Sequence, residues 1–283
     1  MYKWLQMSEL DRELAYNPKK AVSDHEKFQN LATKNASSFR RKTRNKFLDI
    51  CYGKGLKQKL DIFIPNNPIN CPVQVYFHGG YWVSRDKSDH SHLAKPPITN
   101  KIMHVSVNYD LCPDVSLDRI VEEAIESIEW IYNNISLYGG DKNNINLIGH
   151  SAGAHLVAMA LTKNFHTSST FINSAALISG IYRPEITMYL SVNEKIRLSK
   201  NIAQVTNVFN YHLSTKTKIL VIVGEHEPKE WRELSIEYVD WLKKNNVKTK
   251  LFIAKGLNHF TIVKSLADPE SILSNKLINL ANR

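Results

Sequence analysis

The stretch NINLIGHSAGAHLVAMAL, residues 144 to 161, constrains this chain more than any other. A short apolar run passes into a longer one through Gly149-His150-Ser151-Ala152-Gly153, with no room for a loop between them. A strand that is uniformly apolar and enters a helix this abruptly belongs in a parallel sheet covered by helices on both faces. The serine between two glycines then sits on a sharp strand-to-helix bend. Its side chain is lifted above the carboxyl end of the sheet, and Gly149 and Gly153 relieve the backbone crowding around it. The pentapeptide alone recurs by chance in many chains, so its meaning rests on the setting.

The remaining sequence supplies that setting. After residue 45, short apolar runs alternate with helical patterns, the signature of an α/β fold. Strands are expected at 46–52, 59–64, 73–77, 102–109, 145–149, 174–179, 218–224 and 248–254, eight in one mostly parallel sheet. The first two flank GKG and the first alternates in polarity, which predicts an antiparallel hairpin at a sheet edge. Helices are expected near 86–95, 116–134, 152–163, 229–245 and 261–281, the second capped by Asp114 or Ser116 and followed by Gly139-Gly140. Residues 1–44 read as a helical extension broken at Asn17-Pro18. Residues 181–214 join two strands with apolar positions at helical spacing, such as Ile196, Ile202 and Val205. So long a connection predicts a small helical lid. The whole of 1–283 is expected to be one domain.

Composition narrows the class. With 43% hydrophobic and 23% charged residues, the chain is an ordinary globular one, which excludes disordered and collagen-like classes. Three cysteines, Cys51, Cys71 and Cys112, make neither a disulfide framework nor a zinc-site spacing. No secretory signal or membrane-length apolar run is present, so a cytoplasmic protein is expected. The net charge of +10 is densest in FRRKTRNKF, Phe39 to Phe47. No stacking aromatics or nucleic-acid motif accompany that run, and it reads as a solvated face rather than a nucleic-acid or membrane site.

A serine hydroxyl needs a base within hydrogen-bond reach, itself oriented by a carboxylate. Of eleven histidines, His259 in KGLNHF lies in a loop after the last strand and before the closing helix, where the base belongs. His150 and His155 flank Ser151 but point elsewhere from a turn and a helix, and read as structural; His226 stays open. The acid belongs after the strand 218–224, where the chain reads EHEPKEW. Glu225, Glu227 and Glu230 are the candidates. Reach favours Glu227, three residues past the strand, with Glu225 next. The helix after Ser151 points its N-terminus at the site, making the Ala152 amide an oxyanion donor. HGGYW, His78 to Trp82, follows the strand 73–77 and offers a second donor set at Gly79, Gly80 and Tyr81. Tyr81 and Trp82 are also candidate walls of an acyl or aromatic pocket.

At this point the chain resembles the kynurenine formamidase (arylformamidase) branch of the α/β-hydrolases. The resemblance rests on HGGYW, NYDLCPDVSLDRIVEEAIESIEWI, GHSAGAHL, SGIY, LSVNEKIRLS, VGEHEPKEWRELS and GLNHF, with YNPKKAVSDHEKF near the N-terminus, and so spans nearly the whole chain. It implies Ser151 as nucleophile, His259 as base, the HGG loop and Ala152 as oxyanion hole, no metal and no cofactor. The acid falls at Glu227, where members of that branch usually carry aspartate; the extra methylene implies a shifted loop or a looser triad. The implied reaction is hydrolysis of N-formyl-L-kynurenine to L-kynurenine and formate, with a carboxylesterase acting on short acyl or aryl esters as the alternative and a non-catalytic hydrolase-like binding protein more distant. Arg85, Arg183 and Arg197 are candidates to meet the substrate carboxylate. The resemblance further implies a small-molecule substrate and a homodimer.

Overall fold

In the computed structural model, residues 2–162 and 171–282 are described. Eight strands form one sheet: β1 (Lys46–Cys51), β2 (Lys59–Phe63), β3 (Cys71–Phe77), β4 (Met103–Val107), β5 (Gly140–His150), β6 (Ile172–Ile178), β7 (Lys218–Gly224) and β8 (Thr249–Ala254). Their order is β1-β2-β4-β3-β5-β6-β7-β8. β2 runs antiparallel to both its neighbours and every later pairing is parallel. The expected edge hairpin and parallel interior are therefore both present.

Helices cover both faces. In chain order they are α1 (Glu9–Tyr16), α2 (Pro18–Ala21), α3 (His25–Lys42), α4 (Lys95–Thr99), α5 (Leu117–Asn134), α6 (Ala152–Thr162), α7 (Asn193–Ile196), α8 (Lys200–Val205), α9 (Lys229–Lys244), α10 (Thr261–Leu266) and α11 (Ile272–Ala281). Alternate strand residues feed two separate cores. Val73, Val75, Leu147 and Val221 join the side chains of α5, α6 and α9, whereas Tyr76, Ile148, Ile178 and Ile222 join those of α10 and α11. Burial on both faces is why these strands read as unbroken apolar runs. Among the described residues no helix is long and apolar enough to cross a membrane.

Three expectations need amendment. The single helix expected over 261–281 is two, α10 and α11, because Pro269 lacks the amide that a continuous helix needs there. The segment 86–95 is mainly the 3-10 helix Lys87–Ala94, started by a capping box between Asp86 and Asp89. Residue 163 of the helix expected over 152–163 lies outside the described residues.

The N-terminal extension is broken where expected: the Asn17 side chain caps α2, with Pro18 at its first position. α3 is then held against the sheet edge by charge. Arg40 reaches the fully buried Asp61, which also pairs with Lys87 at 2.8 Å and accepts the Asp49 amide at 2.9 Å. A carboxylate removed from water is tolerated because two cations and an amide satisfy it. One arginine of the basic run thus fastens a helix rather than facing solvent.

Histidines are unusually deep in this fold. Burial holds His92 and His155 down to about 4 and His104 to about 3, and pushes His78, His90 and His150 below the ordinary range as well. The unfolded chain takes up these protons as pH falls through about 6.5, while the folded chain takes them up only at lower pH, near 4 for His92 and His155. The unfolded state therefore binds more protons, and stability drops over that window by about 1.4 kcal/mol per pH unit for each such histidine. Tm measured by calorimetry should fall by roughly 10 °C or more between pH 7.5 and 5; a flat Tm would mean these rings are protonated in the native state.

Candidate active site

β5 ends at His150 and α6 begins at Ala152, leaving Ser151 alone on the bend at φ 56°, in the left-handed region. Such a backbone costs about 1–3 kcal/mol in a non-glycine residue and persists only where surroundings fix it. Here the Ser151 amide donates to the Ile178 carbonyl at the end of β6, 2.8 Å away. The flanking glycines are obligatory. A Cβ on Gly153 would lie 2.1 Å from the Phe77 carbonyl oxygen, and one on Gly149 would lie 2.3 Å from that of Gly153.

Phe77 ends β3, and the HGG loop follows it directly. A Cβ on Gly79 would sit 3.0 Å from the Ser151 Cβ and 3.0 Å from the His150 carbonyl oxygen, so this loop backs onto the serine. Gly80, Tyr81 and Trp82 all have positive φ, a tight reversal closed by the Val83 amide donating to the Gly80 carbonyl at 3.1 Å. His78 anchors the loop from beneath: its ring stacks on Tyr109 at 4.4 Å, and the Tyr109 hydroxyl donates to its carbonyl at 2.7 Å. The Tyr81 hydroxyl donates to the Tyr16 carbonyl, tying the loop to α1.

On the far side, the Glu227 carboxylate meets His259 Nδ1 at 2.8 Å. Its other oxygen accepts from the Gly224 amide at 2.7 Å and the Ser179 hydroxyl at 2.5 Å. The chain turns back after β7, so the longer glutamate side chain reaches the strand end that precedes it by three residues. Trp231 packs edge-on against His259 with centroids 5.0 Å apart and donates its indole N–H to the Ser179 carbonyl at 3.1 Å. Glu225 instead accepts from the Gly256 amide at 2.8 Å and is substantially exposed, beside an exposed His226.

Ser151 and His259 line one cavity of about 270 Å³ together with Gly79, Gly80, Tyr81 and Arg85. Ala152, the first residue of α6, is fully buried behind Ser151. His155 is buried with its Nε2 on the Thr206 carbonyl at 2.7 Å. His150 lines the cavity floor with its Nε2 on the His259 backbone carbonyl at 3.0 Å. Trp82 is fully buried against the edge of His155 and does not line the cavity. Arg183 is engaged with Glu237 and the Phe209 ring, and neither it nor Arg197 lines the cavity.

The cover over the cavity comes from the N-terminal extension: Pro18, Lys19, Phe28, Leu31, Ala32 and Asn35. None of the lining residues falls in 181–214, the segment expected to be a lid; its helices α7 and α8 pack beside the 3-10 helix Pro184–Tyr189 and α5 instead. Sequence reasoning also did not single out Ser179, Trp231, His90 or His92. Only their place in space ties them to Ser151, and no local pattern marks them.

A family model described as BD-FAE matches residues 60–266. Kynurenine formamidase of Danio rerio is 28% identical over 296 residues, covering 100% of each chain. Kynurenine formamidase of Drosophila melanogaster is 30% identical over 241 residues, 81% of this chain and 79% of that protein. Among solved structures, an esterase of Pyrobaculum calidifontis superimposes with a TM-score of 0.76 at 20% identity, covering 98% of each chain.

The two glutamates separate experimentally. If Glu227 orients His259, Glu227→Gln should lower kcat on any cleaved substrate by about 10³- to 10⁴-fold, as loss of the orienting carboxylate does in serine-hydrolase triads, whereas Glu225→Gln should leave it within a few fold. Steady-state kinetics on both variants checks this; the reverse ranking would move the acid to Glu225.

Proposed function

Because the chain belongs to the BD-FAE family of α/β-hydrolases, in its kynurenine formamidase-like branch, and is a hydrolase, we propose that it cleaves an aryl formamide, N-formyl-L-kynurenine, to the aryl amine and formate through Ser151, His259 and Glu227. The observation that most supports this reading is the 2.8 Å Glu227–His259 contact on the same cavity as a strained Ser151. A carboxylate bound to Nδ1 leaves Nε2 as the nitrogen that takes the serine proton.

In this reading the Ser151 hydroxyl oxygen attacks the formyl carbon while its proton passes to His259. The negative oxygen of the tetrahedral intermediate is held by backbone N–H groups of Gly79, Gly80, Tyr81 and Ala152, each donor contributing about 100- to 1000-fold in rate. The C–N bond then breaks, His259 returns the proton to the departing aryl amine, and a formyl-serine ester remains. Water, deprotonated by His259, attacks that ester and releases formate, restoring the serine hydroxyl. A formyl group needs almost no acyl space, which suits a loop so close to Ser151 that a Cβ on Gly79 would lie 3.0 Å from the serine Cβ. The volume under α3 is left for the aromatic amine, between Phe28, Leu31 and Phe260.

The same machinery serves esters, and the P. calidifontis neighbour bears the name esterase. The ratio of kcat/KM for N-formyl-L-kynurenine over p-nitrophenyl acetate decides between them and should exceed one. Ser151→Ala should remove about 10⁴- to 10⁶-fold of either activity. A ratio far below one would assign the triad to a carboxylesterase; activity surviving in Ser151→Ala would end the serine mechanism.

A further inference from the structure

The lining of the cavity is unbalanced in charge. Three cations, Lys19, Arg85 and Lys264, face it with one carboxylate, Asp268. Lys264 and Asp268 oppose each other in sign near the C-terminal end of α10, which leaves Lys19 and Arg85 as the excess positive charge in the lining. Among the described residues the Lys19 ammonium makes no ion pair or hydrogen bond, and burial, then the positive charges of Lys195 and Arg85, lower its pKa against a smaller opposing pull from Glu26. Arg85 is held in place, 3.4 Å from both Asp89 and the Thr33 hydroxyl. Asp89 is itself shared, accepting the Thr33 hydroxyl at 2.8 Å and the Asp86 amide at 3.2 Å, so it neutralises Arg85 only in part. Two like charges that are only partly neutralised repel, and an anion placed between them removes that repulsion.

A second, independent observation lies beside them. His90 is 6% exposed and lines the cavity, yet neither ring nitrogen has a partner among the described residues. Its ring is stacked on His78 at 6.0 Å and tilted against Tyr76 at 5.5 Å, so its orientation is fixed from behind. Buried polar groups are almost always satisfied, and an orphan facing a cavity implies a ligand that completes it. Burial together with Arg85, His78, His92 and His150 keeps this imidazole neutral, so one N–H is available to donate.

We propose that Lys19, Arg85 and His90 form an anion subsite that selects substrates carrying a carboxylate on the leaving group. The inference rests on the cavity being a hydrolase active site, as read above, and it deepens that reading by assigning the specificity of its far end. A formyl group cannot itself carry a carboxylate, so for a formamide the charge must come on the amine side. Arg85 follows the oxyanion loop by four residues. The same short segment thus holds the reacting carbonyl at one end and the charged tail at the other.

The test uses two matched pairs: N-formyl-L-kynurenine against N-formylaniline, and 3-(4-acetoxyphenyl)propionate against phenyl acetate. Within each pair the readout is the ratio of kcat/KM, carboxylate over uncharged. In the native protein the ratio should exceed ten in at least the pair it cleaves and fall as salt is added, since exposed charge attraction is screened. Arg85→Gln should lower the ratio by about 10- to 100-fold, the usual worth of a hydrogen bond to a charged group, mainly through KM. Lys19→Gln, on the surface and harmless to folding, should lower it by several fold. His90→Phe keeps the stacking ring but removes both nitrogens and should lower it too, while Arg183→Gln, remote from the cavity, should not change it. A native ratio near one, or one that Arg85→Gln and Lys19→Gln leave unchanged, overturns the subsite. Formamides left intact while the anionic ester is still preferred would instead overturn the formamidase reading and keep the subsite.

Discussion

Two backbone approaches that only glycine permits set the position of everything else in the site. The first turn of α6 presses so closely on the end of β3 that Gly153 has the Phe77 carbonyl where a Cβ would stand, and Gly149 has the Gly153 carbonyl. Any side chain at either place would push α6 away from the sheet, and Ser151 with it. The next residues after Phe77 are His78 and Gly79, so the same approach that bends the chain at Ser151 brings the HGG loop against it. Ser151 and the HGG loop are thus placed by one packing event between β3, β5 and α6, and the burial of every residue of α6 holds the strained serine in place.

The partner groups are positioned by hydrogen bonding instead. Glu227 is buried with three donors on its two oxygens, Gly224, Ser179 and His259, which is what a desolvated carboxylate requires. Ser179 follows the end of β6 and Gly224 ends β7, so the Glu227 carboxylate is referenced to two neighbouring strands. The extra methylene of glutamate is absorbed because the chain folds back over Gly224, the Glu227 amide donating to its carbonyl at 3.3 Å. Trp231, bonded to the Ser179 carbonyl, then fixes the plane of His259 from the side.

The cavity itself depends on a helix that contributes no strand contact of its own to the chemistry. α3 is amphipathic and mostly exposed, with Ala36 its one fully buried residue; on its own it would have little reason to stay. The Arg40–Asp61–Lys87 cluster and the Thr33–Asp89–Arg85 contacts attach it at several points to β2 and to the segment after the HGG loop. Removing either partner of the buried cluster would strand a charge in the interior, so α3 cannot leave without a cost. That attachment encloses the space above Ser151, at the carboxyl end of the interior strand β5.

The sequence by itself determined the sheet, the bend at Ser151, the glycine loop and the histidine after the last strand, because each is a local pattern: apolar runs of strand length, glycines beside a serine, a loop in a fixed chain order. It also ranked Glu227 above Glu225 by reach. What it could not show is which distant segments meet. The cover was expected from 181–214, whose length and helical spacing look like a lid, yet the residues over the cavity come from 18–35. Apolar periodicity says that a helix has a buried face but not which surface buries it. Trp82 looks like a pocket aromatic beside Tyr81, but of the two only Tyr81 lines the cavity, while Trp82 is fully buried behind it with the rings edge to face at 6.0 Å. The supports of Glu227 and His259, and the orphaned nitrogens of His90, exist only as contacts between residues far apart in the chain. Hydrogen bonds and burial are properties of positions in space, and tertiary packing alone decides them.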